Sequence, residues 1–196
     1  DAATICSSDA PFPMRPLLGG TPAATGSWTG PVSGVAHAAT YTPATDISGV
    51  YTYTVLGTAP CLDATATLTI TERQAPNAGT NGTRTVCSTD GNFQLSTSLG
   101  GTPDAGGTWT TQGGGAFSGT FIPGTSSAGV YTYTVAGLAP CANAIATVTV
   151  TVNDPPNAGS NAQVIKCSNA SNFSLFDSLG GTPAAGGTWV GPTGLA

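Results

Sequence analysis

Apolar and polar residues alternate along the best-defined stretches of this chain, and threonine fills most of the polar positions. Tyr131, Tyr133 and Val135 are interleaved with Thr132 and Thr134, and Ala146, Val148, Val150 and Val152 with Thr147, Thr149 and Thr151. A period of two sends one set to the buried face of a sheet and the other to water, and a β-branched hydroxyl residue suits that outer face. Residues 92–99, Asn-Phe-Gln-Leu-Ser-Thr-Ser-Leu, place Phe93, Leu95 and Leu99 on one side and predict a further strand. Shorter strands are expected over 107–111 and 118–122, with an edge strand before Cys87. Gly and Pro punctuate every gap, and no stretch keeps a helical apolar period for three turns. Six or seven short strands in about 80 residues predict a β-sandwich.

An internal repeat sets the architecture. Cys6, Cys87 and Cys167 are separated by 81 and 80 residues, and so are Trp28, Trp109 and Trp189. Leu-Gly-Gly-Thr-Pro occurs at 18–22, 99–103 and 179–183, and Gly-Val-Tyr-Thr-Tyr-Thr-Val at 49–55 and 129–135. Ala-Pro-Cys follows at 59–61 and 139–141, and Pro-Asn-Ala-Gly reopens the repeat at 76–79 and 156–159. The expected modules are 1–74, N-terminally incomplete, 75–155, complete, and 156–196, the N-terminal half alone, read as a window cut from a longer array. Linkers are placed near Gln74 to Pro76 and Asn153 to Pro156.

Each full copy carries one cysteine pair at nearly fixed spacing, 55 residues for Cys6 and Cys61 and 54 for Cys87 and Cys141. That spacing predicts one disulfide within each module, Cys6–Cys61 and Cys87–Cys141, with the partner of Cys167 beyond the chain end. A disulfide places the protein in an oxidising, extracellular compartment. Zinc would need closely spaced Cys or His pairs, which the sequence does not offer. Trp28, Trp109 and Trp189, with Tyr51, Tyr53, Tyr131 and Tyr133, are the expected core.

The chain carries 4 Lys+Arg against 9 Asp+Glu, a net charge of −5, and no basic cluster. A nucleic-acid partner and an anionic membrane surface are excluded on that ground. No apolar run approaches the roughly 20 residues of a membrane-spanning helix. Regularly spaced Val, Ile, Tyr and Trp argue for folding despite 28 Gly and 15 Pro.

Trp lies 22 residues after the first cysteine in all three copies, which resembles the buried Trp packed on the bridge of immunoglobulin domains. The tyrosines precede the second cysteine by eight and ten residues rather than two, so the bridge joins different strands from the antibody pattern. The combination of an early Cys, Leu-Gly-Gly-Thr-Pro, Gly-Gly-Thr-Trp, Gly-Val-Tyr-Thr-Tyr-Thr-Val and Ala-Pro-Cys resembles the immunoglobulin-like repeats of giant surface adhesins in gliding Bacteroidota. The resemblance implies an all-β chain of tandem immunoglobulin-like modules in a cell-surface filament exported by the type IX secretion system and serving adhesion or gliding. Its partners would be neighbouring repeats and other copies of the filament, with a surface or glycan ligand elsewhere in the full protein.

Candidate chemistry is sparse, and no enzyme activity or cofactor is expected. His37 is the only histidine, and counting from the Trp gives Ser118 as its counterpart in the second copy. Asp9 and Asp90 correspond, but the third copy has Ala170 there. Gly113 to Gly115 lack the Lys and helix of a phosphate loop. Lys166, the only lysine, matches Ile5 and Val86, so an isopeptide staple does not recur. Asp154 and Asn157 flank the second linker as possible calcium ligands, although Pro stiffening explains that segment more simply. Asp177-Ser178-Leu179 fits an O-glycosylation pattern at Ser178. Two functions compete: a structural stalk or filament, and a multivalent array of carbohydrate- or protein-binding modules. An exposed, recurring aromatic platform would favour the second.

Overall fold

The threonine-faced stretches form the two longest hairpins. In the computed structural model, which describes residues 1–32 and 34–192, β6 (Gly49–Val55) pairs with β7 (Ala64–Arg73). β13 (Gly129–Val135) and β14 (Ala144–Asn153) repeat that hairpin. Tyr51, Tyr53, Leu68 and Ile70 are buried from the first hairpin, and Tyr131, Tyr133, Val148 and Val150 from the second.

The first unit continues with β1 (Ala2–Cys6), β2 (Phe12–Pro13), β3 (Ser27–Thr29), β4 (Ala36–His37) and β5 (Thr40–Tyr41). Its large sheet has the order β1-β7-β6-β3-β4, with β1 parallel to β7, and β2 pairs β5 in a second sheet. The second unit repeats this with β8 (Gly82–Cys87), β9 (Phe93–Gln94), β10 (Thr108–Thr111), β11 (Ala116–Phe117) and β12 (Thr120–Phe121). There the order is β11-β10-β13-β14-β8, and β12 pairs β9. Two sheets enclosing one core, a Trp strand beside the tyrosine strand and short edge strands are the immunoglobulin-like sandwich arrangement. One core draws on Ile5 through Ile70 and the other on Ala78 through Val150. Residues 156–192 contribute an isolated bridge, Ser160 to Gly180, matching Thr80 to Gly100, and a 3₁₀ turn at Phe176–Ser178.

Three expectations change. Residues 92–99 are not one strand: β9 ends at Gln94 and a 3₁₀ turn covers Leu95–Ser98. Leu95 opens the turn and Leu99 follows it in extended conformation, and both are buried in the core. Thr97 Oγ1 donates to the Gln94 carbonyl at 2.7 Å and holds that turn. Trp28 and Trp109 are 3% and 8% exposed, but Trp189 is 56% exposed, because the sequence supplies no residues matching Tyr131 and Tyr133 for it to cover.

The third change is the bridge. Cys6 bonds Cys141, and Cys61 and Cys87 are free thiols, so the disulfide joins the two units instead of closing each one. Cys6 lies opposite Arg73 at one end of β7, whereas the loop carrying Cys61 leaves β6 at Val55 and enters β7 at Ala64, the other end. A ten-residue strand spans about 30 Å, and a disulfide tolerates Cα atoms no more than about 7 Å apart. Cys87 and Cys141 are held apart by β14 in the same way.

Candidate functional site

With the cysteines at opposite poles of each unit, the chemistry gathers where the strand-end pole of the first unit meets the loop pole of the second. The Cys6 and Cys141 Cα atoms are 5.0 Å apart. Cys6 is fixed by its backbone N–H, which donates to Asp9 Oδ2 at 2.8 Å, and Ser8 Oγ donates to its sulfur at 3.2 Å. Asp9 is thus the cap of a turn, and Asp90 does the same for Cys87 at 2.8 Å. Cys141 sits in a tight loop closed by Gly137 N–H donating to Asn143 Oδ1 at 3.0 Å and by its own N–H donating to the Leu138 carbonyl at 2.9 Å. A Cβ on Gly137 would overlap the Cys141 carbonyl oxygen, so glycine is required there.

The connecting segment is anchored on both sides. Ser7 donates its N–H to the Arg73 carbonyl at 2.8 Å and accepts the Ala75 N–H on its hydroxyl at 2.9 Å. Beyond Pro76, the Asn77 N–H donates to Asp104 Oδ2 at 2.8 Å, and its side-chain amide donates to the Thr102 carbonyl at 3.0 Å. Asn77 Oδ1 also accepts the Gly79 N–H at 2.9 Å. Pro-Asn-Ala-Gly and Leu-Gly-Gly-Thr-Pro are therefore two halves of one clamp. The third copy rebuilds it, with Asn157 Nδ2 donating to Thr182 at 3.0 Å and Oδ1 accepting from Gly159 at 2.8 Å. Asn157, considered above for calcium, has its side-chain oxygen engaged in this turn.

The recurring aromatics build the cores. Trp28 packs against Tyr53 and Trp109 against Tyr133 in tilted pairs, each at 4.9 Å between ring centres. Tyr51 donates its hydroxyl to the Ile47 carbonyl at 2.7 Å, and Tyr131 to the Ser127 carbonyl at 2.6 Å. A tyrosine at the start of this strand, bonded four residues back, is the tyrosine corner of immunoglobulin folds, and its spacing from the strand start was the available signal. Burial pushes the Tyr51 hydroxyl up to about 12, with smaller contributions from Tyr41, Asp46 and Glu72. Burial alone raises that of Tyr131.

His37 belongs to this aromatic set. It faces Trp28 in the sheet, as Phe117 faces Trp109, so its structural counterpart is Phe117 and not Ser118. Counting missed this because the intervening loop differs in length by one residue. His37 packs edge-on against Tyr51 at 4.8 Å and lies 3.4 Å from Asp46, which accepts the Thr42 N–H. Lys166 lies over the Phe173 ring at 5.1 Å. Ser178 donates to the Ser174 carbonyl at 3.0 Å, and at the matching position the Ser98 hydroxyl is buried without a partner.

Strand order, Trp and Tyr pairing and tyrosine corner together define a chain of immunoglobulin-like sandwiches. No protein family model and no curated protein matches it. Among solved structures it is similar to the insect immune protein hemolin, described with implications for homophilic adhesion: 13% identity, 78% of this chain and 45% of that one, TM-score 0.47. The N-terminal four Ig domains of Dscam1 isoform 6.9 are 14% identical over 78% of this chain and 43% of theirs, TM-score 0.40. An I-band fragment of titin is 13% identical over 79% and 64%, TM-score 0.38. The chain spans less than two thirds of each.

Proposed function

We propose that the chain is a structural repeat segment of an extracellular surface adhesin, a stiff spacer in a filament or stalk that supports adhesion or gliding. The modules divide near residues 75 and 156. The observation that carries the reading is the Cys6–Cys141 bond, which ties one unit to the next. Pulling on such an array loads a covalent bond and two anchored linker flanks as well as the main chain. Burial of Trp28 and Trp109 supports the spacer over the binding array, since the aromatics recurring in both units are used by the cores. A disulfide across the junction accords with an oxidising compartment, and among the described residues no helix is long and apolar enough to cross a membrane.

Each unit advances the fibre by about 30–40 Å, from the length of its longest strands plus connecting loops. Electron microscopy of the native filament is expected to show beads at that spacing, and the purified chain to be retained neither by glycan arrays nor by surfaces that hold the whole adhesin. Retention equal to that of the whole adhesin would replace this reading with the multivalent binding array.

A further inference from the structure

Cys61 and Cys87 are left over by the bond between the units, yet both sit in the local geometry that the bonded cysteines use. Cys87 ends β8 opposite Asn153 as Cys6 ends β1 opposite Arg73. The following serine N–H bonds the facing strand's carbonyl at 2.8 Å in both units, and a hydroxyl oxygen lies 3.2 Å from each sulfur, Ser8 for Cys6 and Thr89 for Cys87. Cys61 lies in the same loop as Cys141: Gly57 N–H donates to Asp63 Oδ1 at 2.8 Å, and Cys61 N–H to the Thr58 carbonyl at 2.9 Å. What differs is cover. Cys141 is buried by the neighbouring unit, whereas Cys61 is exposed beside Leu56 and Leu62, themselves 77% and 90% exposed.

We propose that Cys61 and Cys87 are the two open halves of the same inter-unit disulfide, so that the covalent link passes from unit to unit along the array. Each strand-end cysteine bonds the Ala-Pro-Cys loop of the unit that follows it. The partner at each open pole is therefore another unit of this repeat: at Cys87 one presenting its Ala-Pro-Cys loop, at Cys61 one presenting a strand-end cysteine. Closing each link takes two hydrogens from two thiols. With oxidised glutathione as the oxidant, one cysteine thiolate attacks the small disulfide and releases one glutathione thiol. The facing cysteine then displaces the second glutathione, and two glutathione thiols carry away the electrons and protons.

The link does not depend on what the array adheres to, and its test reads bonds rather than binding. The full chain is extended after Ala196 by a copy of residues 117–153, which completes the third repeat and adds one Ala-Pro-Cys loop. The product is oxidised with glutathione and mapped by non-reducing peptide mass spectrometry. The expected map contains Cys6–Cys141, a new bond from Cys87 to the added loop cysteine, and Cys61 and Cys167 as the two alkylated thiols. In the same chain carrying Cys87→Ser, the added cysteine should stay alkylated. Cys87 still alkylated in the extended chain, Cys87 bonded to Cys141, or the added cysteine bonded to Cys167 of its own unit would each overturn the proposal.

Discussion

Tyr51 and Tyr131 are each completely or almost completely buried, and each uses its single hydroxyl on a carbonyl four residues back. Tyr131→Phe keeps the ring and leaves the Ser127 carbonyl without that donor, so the expected loss is about 1 kcal/mol, read from the urea midpoint of unfolding. The same hydroxyls set an alkaline limit. An unfolded tyrosine ionises near 10, whereas Tyr51 is held up to about 12 by burial first and by neighbouring Tyr41, Asp46 and Glu72 after it. A raised folded value means that the stabilisation is fully present below about pH 10 and is lost as the pH climbs toward 12. Thermal melts across that window should fall steeply for the native chain and less so for Tyr51→Phe; parallel curves would show that other groups set the limit. Glycine at 107 is as constrained as any core residue. A Cβ there would overlap the Tyr133 ring, whose hydroxyl also accepts the Gly107 N–H at 2.9 Å, so Gly107→Ala should cost about 1–3 kcal/mol through overpacking. Calorimetry on the folded chain would check it.

Among the elements, the hairpins were the most legible part of the sequence and the short connections the least. Period-two alternation over seven to ten residues marks β6, β7, β13 and β14 because each has one face on the core and one in water. β9, β11 and β12 are two residues each, too short for any period to show. Leu95 and Leu99 read as strand positions because their even spacing fits a period of two, and the 3₁₀ turn between them leaves no periodic signal in so short a segment. The repeated Pro-Asn-Ala-Gly and Leu-Gly-Gly-Thr-Pro were visible as motifs, but their mutual contact was not, because about 20 residues separate them. Asn77→Ala removes one donor and one acceptor from that clamp, and hydrogen exchange at Gly79 should quicken severalfold while the β13–β14 amides remain protected. Unchanged exchange at Gly79 would mean that the backbone bonds of Thr80 to Gly100 hold the clamp alone.

For the molecule as a whole, the bridge spans a sequence separation of 135 residues. The chain-entropy relation puts closure of a loop that long at about 5 kcal/mol against the fully unfolded chain. Each core nevertheless has its own sheets and aromatic pairs, so Cys6→Ser with Cys141→Ser is expected to keep both sandwiches folded. The two units should then hinge at Pro76, between the anchors at Ala75 and Asn77. Small-angle X-ray scattering should show a broader distribution of interatomic distances, and circular dichroism an unaltered β spectrum. Loss of the β spectrum would show instead that the bridge is required for folding of the units themselves.

Period, strand-face assignment and aromatic core follow from the sequence, because burial acts on each unit separately and every copy repeats the same solution. Partner choice among the cysteines does not. In a periodic chain, every unit offers the same strand-end cysteine and the same loop cysteine, so linear spacing favours closure within a unit and says nothing of where the two sulfurs lie. The tertiary structure decided it: the parallel pairing of Cys6 with Arg73 carries the first cysteine to the far end of β7, about 30 Å from its own loop, and stacking brings the next unit's loop to it. His37 was misassigned for a related reason. A one-residue difference in loop length shifts a count along the chain but leaves the sheet register, Trp28 facing His37 and Trp109 facing Phe117, unchanged.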